Sequence, residues 1–296
     1  MSCRDDFAVD LDESIDDSLN VNAQLVAQRP ISASILKTVG FNVDIAEATV
    51  TDAEVMFTGS NVAQGELAMY YDPSTNEYTI DRSEAILLEG HDYTLTIEDK
   101  ENPNESITAT TRIPFAVRAK DWSLFEQTYV IAADGSRYWE SELSVSLNTP
   151  KELPAYYHII PYRGITVEQR DNQGQVILTD LDGRLELEVV QVLSDRAGVF
   201  EFEHQLGVYA DQSRLSDNEI SIKVRTSEPL REGEIVRRLE VDIFTLSEEL
   251  YRYDENIHLH LINVAGNYSS SLPTYTNVTN GLGVVGGCSL STLLIP

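Results

Sequence analysis

Basic residues are scarce in this chain. Its 296 residues carry 21 Lys and Arg against 49 Asp and Glu, a formal charge of −28. That scarcity excludes nucleic acid as a partner class. No Lys/Arg stripe exists to neutralise phosphates, and the densest basic pair is Arg237-Arg238. It equally excludes electrostatic docking to anionic lipid. Long apolar runs are missing as well, since none approaches the ~18–20 residues of a membrane-spanning helix. Cysteine is nearly absent, with Cys3 and Cys288 alone, so no disulfide framework staples the fold. One lies in a polar tail and the other in a Gly-rich terminus, which argues against their pairing.

Signatures of chemistry are equally sparse. There is no G-x-S-x-G elbow with Ser at its centre and no H-E-x-x-H. His258 and His260 stand two apart, which aligns them on a strand but not on a helix; they read as surface histidines near a helix end. Asp10-Leu11-Asp12 and Asp180-Leu181-Asp182-Gly183 do not continue into a twelve-residue calcium loop and read as turn chemistry. With 49 acids, some carboxylate pair suited to glycoside cleavage always exists, so the count is uninformative. Gly281-x-Gly283-x-x-Gly286 continues into Gly287-Cys288-Ser289 rather than a helix, so it is not a phosphate loop; it points to positive φ and close chain approach. Cys288 reads as a small buried cysteine. No metal or cofactor is expected.

What the chain does have is period-two alternation. Leu19, Val21, Ala23 and Leu25 alternate with Asn20, Asn22 and Gln24, which predicts a half-buried strand. Val50–Phe57, Leu67–Tyr71, Tyr78–Ile80, Tyr93–Ile97 and Ile107–Ile113 repeat the signal, separated by turns such as Asp72-Pro73-Ser74. Short strands at regular spacing predict a first β-sandwich over 19–115, immunoglobulin- or transthyretin-like. Further alternating runs from Thr128 to Phe244 predict a second, larger sandwich over 116–296, with turns at Asp134-Gly135, Asn172-Gln173-Gly174 and Asp182-Gly183. One helix is expected, at about 246–261. Thr245-Leu246-Ser247-Glu248 has the capping-box form, and Leu246, Leu250, Ile257 and Leu261 would share its apolar face. Asn263–Ser271 reads as a loop. The fourteen tyrosines, with clusters at Tyr156-Tyr157, Tyr251/Tyr253 and Tyr268/Tyr275, read as sandwich core, while an exposed group would mark a binding surface.

The first eighteen residues differ from the rest, with one basic residue, Arg4, against seven acidic ones. Such a segment cannot bury enough apolar area to order itself, and its charge extends it. No n-region and apolar h-region precede Cys3. The expectation is a mature lipoprotein with Ser2 as the small residue before an acylated Cys3, and residues 1–18 as a tether. Each buried acyl CH₂ contributes about 0.8 kcal/mol, so two or three chains anchor a protein almost permanently.

The C-terminal text carries a resemblance. Ser247-Glu248-Glu249-Leu250-Tyr251-Arg252-Tyr253 and the closing Thr276-Asn277-Val278-Thr279-Asn280-Gly281-Leu282-Gly283-Val284-Val285-Gly286 are similar to a family of Bacteroidota outer-membrane lipoproteins known only as a domain of unknown function. Val285 stands where that family has an aromatic. Asp52-Ala53-Glu54-Val55 and Gly90-His91-Asp92-Tyr93-Thr94-Leu95 resemble its N-terminal strands. The resemblance implies lipidation at Cys3, with Arg4, Asp5 and Asp6 as a surface-export signal. It also implies a SusC-type TonB-dependent transporter as partner. Its motifs offer Tyr251, Tyr253, Asn277, Asn280, Gly281 and Gly283 as candidate partner contacts. The expected function is therefore a non-enzymatic, surface-exposed accessory or substrate-capture subunit for nutrient uptake. An extracellular hydrolase on glycans or peptides, and an adhesin or structural surface module, are the alternatives. The strong negative charge would repel anionic polymers and enrich cations or cationic peptides.

Overall fold

A computed structural model describes residues 18–38, 48–62, 65–98, 106–135, 137–149, 155–170, 173–186, 188–193, 199–200, 207–215, 218–228, 234–265 and 274–295. The protein is mainly β, with one helix near the C-terminal end and large sheets consistent with a sandwich. Residues 1–17 of the tether, Asp10-Leu11-Asp12 among them, and Tyr268 lie outside the described residues.

The alternating segments become strands with the expected inward faces. In β1 (Leu19–Val26) the residues Leu19, Val21, Ala23 and Leu25 are buried and the polar residues between them are not. It is followed by β2 (Ile31–Lys37), β3 (Glu54–Gly59), β4 (Glu66–Asp72), β5 (Glu77–Ile80), β6 (Asp92–Glu98) and β7 (Ile107–Arg112). These pair in the order β1-β2-β5-β4-β3-β6-β7. The strip curls so that Val21, Ala23 and Leu25 share one core with Phe57, Leu95 and Ile97. Stacked rings of Phe57 and Tyr93, 5.4 Å apart, sit inside that core.

The second half contributes β8 (Ala119–Ile131), β9 (Arg137–Leu147), β10 (Tyr156–Arg170), β11 (Val176–Glu186), β12 (Glu188–Val192), β13 (Val199–Phe200), β14 (Val208–Asp211), β15 (Glu219–Glu228) and β16 (Glu234–Leu246). A four-stranded sheet, β12-β15-β9-β8, supplies Leu143, Val145, Ile220 and Ile222 to a second core. Tyr157, Ile159, Val241 and Ile243 of β10 and β16 supply the facing wall. Pro161 has no N–H to give a ladder. It falls where β10 changes partner along one edge, between β14 (paired at Tyr156–Ile159) and β11 (paired from Tyr162).

β2 and β14 were not anticipated, and neither was the last strand, β17 (Leu282–Ile295). The latter joins the halves. Asn20–Val26 pair in parallel with Leu282–Cys288, and Leu239–Leu246 pair antiparallel with Cys288–Ile295. Cys288 is the handover residue, opposite both Val26 and Leu246. One sheet therefore runs without a break from β13 to β7.

The helix, α1 (Glu248–Ala265), starts later and runs further than expected. Its cap is Ser247, not Thr245. The Ser247 hydroxyl accepts from the Leu250 N–H at 3.4 Å and its carbonyl accepts from Tyr251 N–H at 3.1 Å. Thr245 is the penultimate residue of β16 and its hydroxyl accepts the Val117 N–H at 3.0 Å. Of the expected apolar face Leu246 and Leu250 are buried, whereas Ile257 and Leu261 are exposed, and Tyr251 packs inward beside Leu250. Residues 263–265, read as the start of a loop, are helical. The turn expected at Asp182-Gly183 is also absent: these residues lie within β11, opposite a register shift between Gly164 and Thr166 of β10. The chain bulges there without reversing, because extra residues on one strand bend the ladder and leave its direction unchanged.

Candidate functional site

The closing motif is where the sequence concentrates its unusual residues, and the fold explains each. Asn277 acts as a one-residue strand substitute. Its amide donates to the Val285 carbonyl at 2.8 Å and its oxygen accepts the Val285 N–H at 3.0 Å. Thr279 exchanges two backbone bonds with Thr108 at the start of β7. Asn280 takes a left-handed turn conformation (φ 60) and donates to the Ser106 carbonyl at 3.2 Å. Gly281 lies against the Leu19 carbonyl. At Gly283 φ is +98 and a Cβ would stand 2.2 Å from the Val21 carbonyl oxygen, so only glycine fits. At Gly287 a Cβ would meet the Arg112 carbonyl at 2.6 Å, so its absence lets β7 close onto β17.

Helix α1 docks on that junction. The Ser247 hydroxyl accepts the Gly287 N–H at 3.1 Å, tying the helix start to β17. Tyr251, offered as a partner contact, is 1% exposed and its ring stacks on Tyr156 at 4.5 Å. It is therefore part of the interior. Tyr253 is partly buried, and burial followed by the Asp254 charge raises its hydroxyl pKa. Asp254 faces Tyr209: burial lifts its carboxyl to about 6, opposed by a hydrogen bond with the Tyr209 hydroxyl. Burial also pushes the Cys288 thiol up to about 11, with the Gln24 amide donating to the sulfur at 3.5 Å. A thiol so raised is inert at neutral pH. Salt bridges from Arg252 to Glu248 and Glu255, and from Arg214 to Asp211, dress the outer side of this region. His258 and His260 sit two apart on α1 and so diverge. Among the described residues, no group of three His, Cys, Asp or Glu could hold a metal ion.

On the other side of β17, where the two cores meet, the surface is concave. A cleft of about 520 Å³ lies between the β1–β2 turn at Gln28, Glu89 ahead of β6, the connection at Ala116–Ala119, and Leu290–Leu293 of β17. A second lobe of about 320 Å³ shares Gln28, Glu89 and Leu290 and adds Arg29 and Arg82. The connection is pinned on both sides. Ala116 N–H donates to the Glu89 carboxylate at 3.1 Å, Val117 N–H to Thr245, and the Ser291 hydroxyl to the Val117 carbonyl at 2.5 Å.

Of the anticipated site residues, Asn277, Asn280, Gly281 and Gly283 come together at the junction and are engaged in holding it. Cys3, Arg4, Asp5 and Asp6 lie outside the described residues. The cleft-lining Gln28, Arg29, Arg82, Glu89 and Arg118 were missed, being scattered over four segments with no common spacing. The scarcity of cations was the one signal that could have drawn attention to them.

The family described as Domain of unknown function (DUF4249) matches residues 4–293. No curated protein matches the chain.

Proposed function

The chain belongs to this family of unknown function, and from that premise we propose that it is a lipid-anchored, surface-exposed outer-membrane protein. It acts there as a non-enzymatic accessory or substrate-capture subunit of a SusC-type TonB-dependent transporter. The observation that carries the reading is how the acidic segment after Cys3 meets the fold. The Ser18 carbonyl accepts both the Thr38 N–H at 3.0 Å and the Thr38 hydroxyl at 2.8 Å. From Leu19 onward the chain enters β1, paired on both sides by β2 and β17. A tether joined there holds both halves of the molecule through one central strand. The residues between Cys3 and Ser18 reach about 50 Å when fully extended, enough to hold the body clear of a membrane surface.

The hydrolase alternative needs a concave pocket and a strongly shifted titratable group together. Among the described residues the shifted carboxyl, Asp254, belongs to α1, and no described α1 side chain lines the cleft.

The test is fractionation of cells carrying Cys3→Ala. The protein should move from the membrane to the soluble fraction, and the unsubstituted protein should co-purify with a β-barrel in mild detergent. Retention of the variant on the membrane overturns the anchor, and a lipoprotein that purifies alone overturns the transporter partnership.

A further inference from the structure

We propose that the cleft between the two halves binds a small ligand carrying two or more anionic groups, whether carboxylate, sulfate or phosphate. Three guanidinium groups, Arg29, Arg82 and Arg118, line its two adjoining lobes. This concentration of positive charge stands on a chain with a net charge of −28. Elsewhere the fold spends its arginines on carboxylates: Arg112 on Asp92, Arg214 on Asp211, Arg225 on Glu140 and Arg252 on Glu248. None of the three cleft arginines forms an ion pair among the described residues. Glu89, the carboxylate within the cleft, is committed to the Ala116 N–H at 3.1 Å. The three exposed arginines thus outnumber the one carboxylate among the residues lining the cleft. A planar guanidinium fork matches a carboxylate or phosphate in two parallel bonds, which makes arginine the suitable cation for such a ligand.

The backbone supplies an independent sign. Gln28, shared by both lobes, has φ 61. The other non-glycine residues with positive φ among the described residues, Asn76, Asn218 and Asn280, are all asparagine, which tolerates that region. A left-handed glutamine costs about 1–2 kcal/mol, and such strain gathers where a side chain serves a site. The walls are fixed in advance, because β1 and β17 are paired to each other and the connection between the halves is hydrogen-bonded on both sides. A pre-formed cleft of 520 Å³ is in the range that holds a small molecule.

This goes beyond the accessory-subunit reading and does not depend on it, since binding is read on the isolated full chain. Isothermal titration with citrate and with pyrophosphate, and with uncharged sucrose for contrast, is the experiment. At least one anion should bind in the millimolar range or tighter, and sucrose should not. Arg29→Ala and Arg118→Ala should each weaken binding about tenfold, while Arg112→Ala leaves it unchanged and all three variants keep the parent melting temperature. The proposal is overturned if neither anion binds up to ~20 mM, or if affinity survives both cleft substitutions. It is also overturned if the free anions fail while vesicles of phosphatidylglycerol are bound through Arg29 and Arg118, which would assign these cations to a lipid surface.

Discussion

The two halves of β17 obey different rules. From Gly283 to Cys288 every residue is buried, the pairing to β1 is parallel, and glycine occupies positions that a neighbouring backbone or helix would otherwise strike. From Leu290 to Leu294 burial is partial, the pairing to β16 is antiparallel and side chains such as Leu294 reach solvent. A parallel ladder is stable where both its faces are covered, and an antiparallel one tolerates a wet face. The difference teaches that the closing motif is conspicuous because it is squeezed from three sides by β1, β7 and α1. Its glycines and asparagines are engaged in holding the junction together.

Substitutions can break or sharpen that contrast. Gly283→Ala should have the largest effect, about 3 kcal/mol or more, since a left-handed φ is combined with a backbone clash. Gly135→Ala is its control: φ is +85 there too, but nothing lies within 4 Å of the added Cβ, so the cost should be nearer 1 kcal/mol. Denaturant unfolding of the two variants measures how much of the penalty is crowding. Asn277→Ala should follow at about 2 kcal/mol, because it strands both polar groups of Val285.

Asp254→Asn sharpens the comparison from the helix side. The folded carboxyl keeps its proton up to about pH 6, whereas the unfolded one releases it near 3.8. The folded state is therefore favoured below pH 3.8, and that advantage disappears as pH rises through 6. The Asn variant should be more stable than the parent by about 1–2 kcal/mol at pH 8 and equal to it at pH 3.5. Paired melting curves at the two pH values test this; a stabilisation of equal size at both would refute it. The smallest effect belongs to the open half of β17, where Leu294→Ala should change stability by less than about 0.5 kcal/mol.

Much of the β architecture was legible because alternation is a local signal. Val21, Leu95 and Ile222 announce their inward faces within a few residues of sequence. The junction was not legible, because its cause is distant in sequence. Gly283 is glycine on account of Val21, and Thr245 serves Val117 instead of capping the helix that starts three residues beyond it. The helix start was misassigned for the same reason: Thr245 and Ser247 both suit a cap, and the strand partner of Thr245 decided between them. Arg29, Arg82 and Arg118 form a group only after the two halves meet, so no window of sequence contains the cleft.

The weld between the first and last strands also has a mechanical consequence. A pull applied at Ser18 along the axis of β1 loads seven rungs against Leu282–Cys288 in shear. They must fail together, whereas a hairpin at a free edge would unzip rung by rung. Whatever holds the amino end under flow or drag is thus gripping the molecule at one of its most tear-resistant seams.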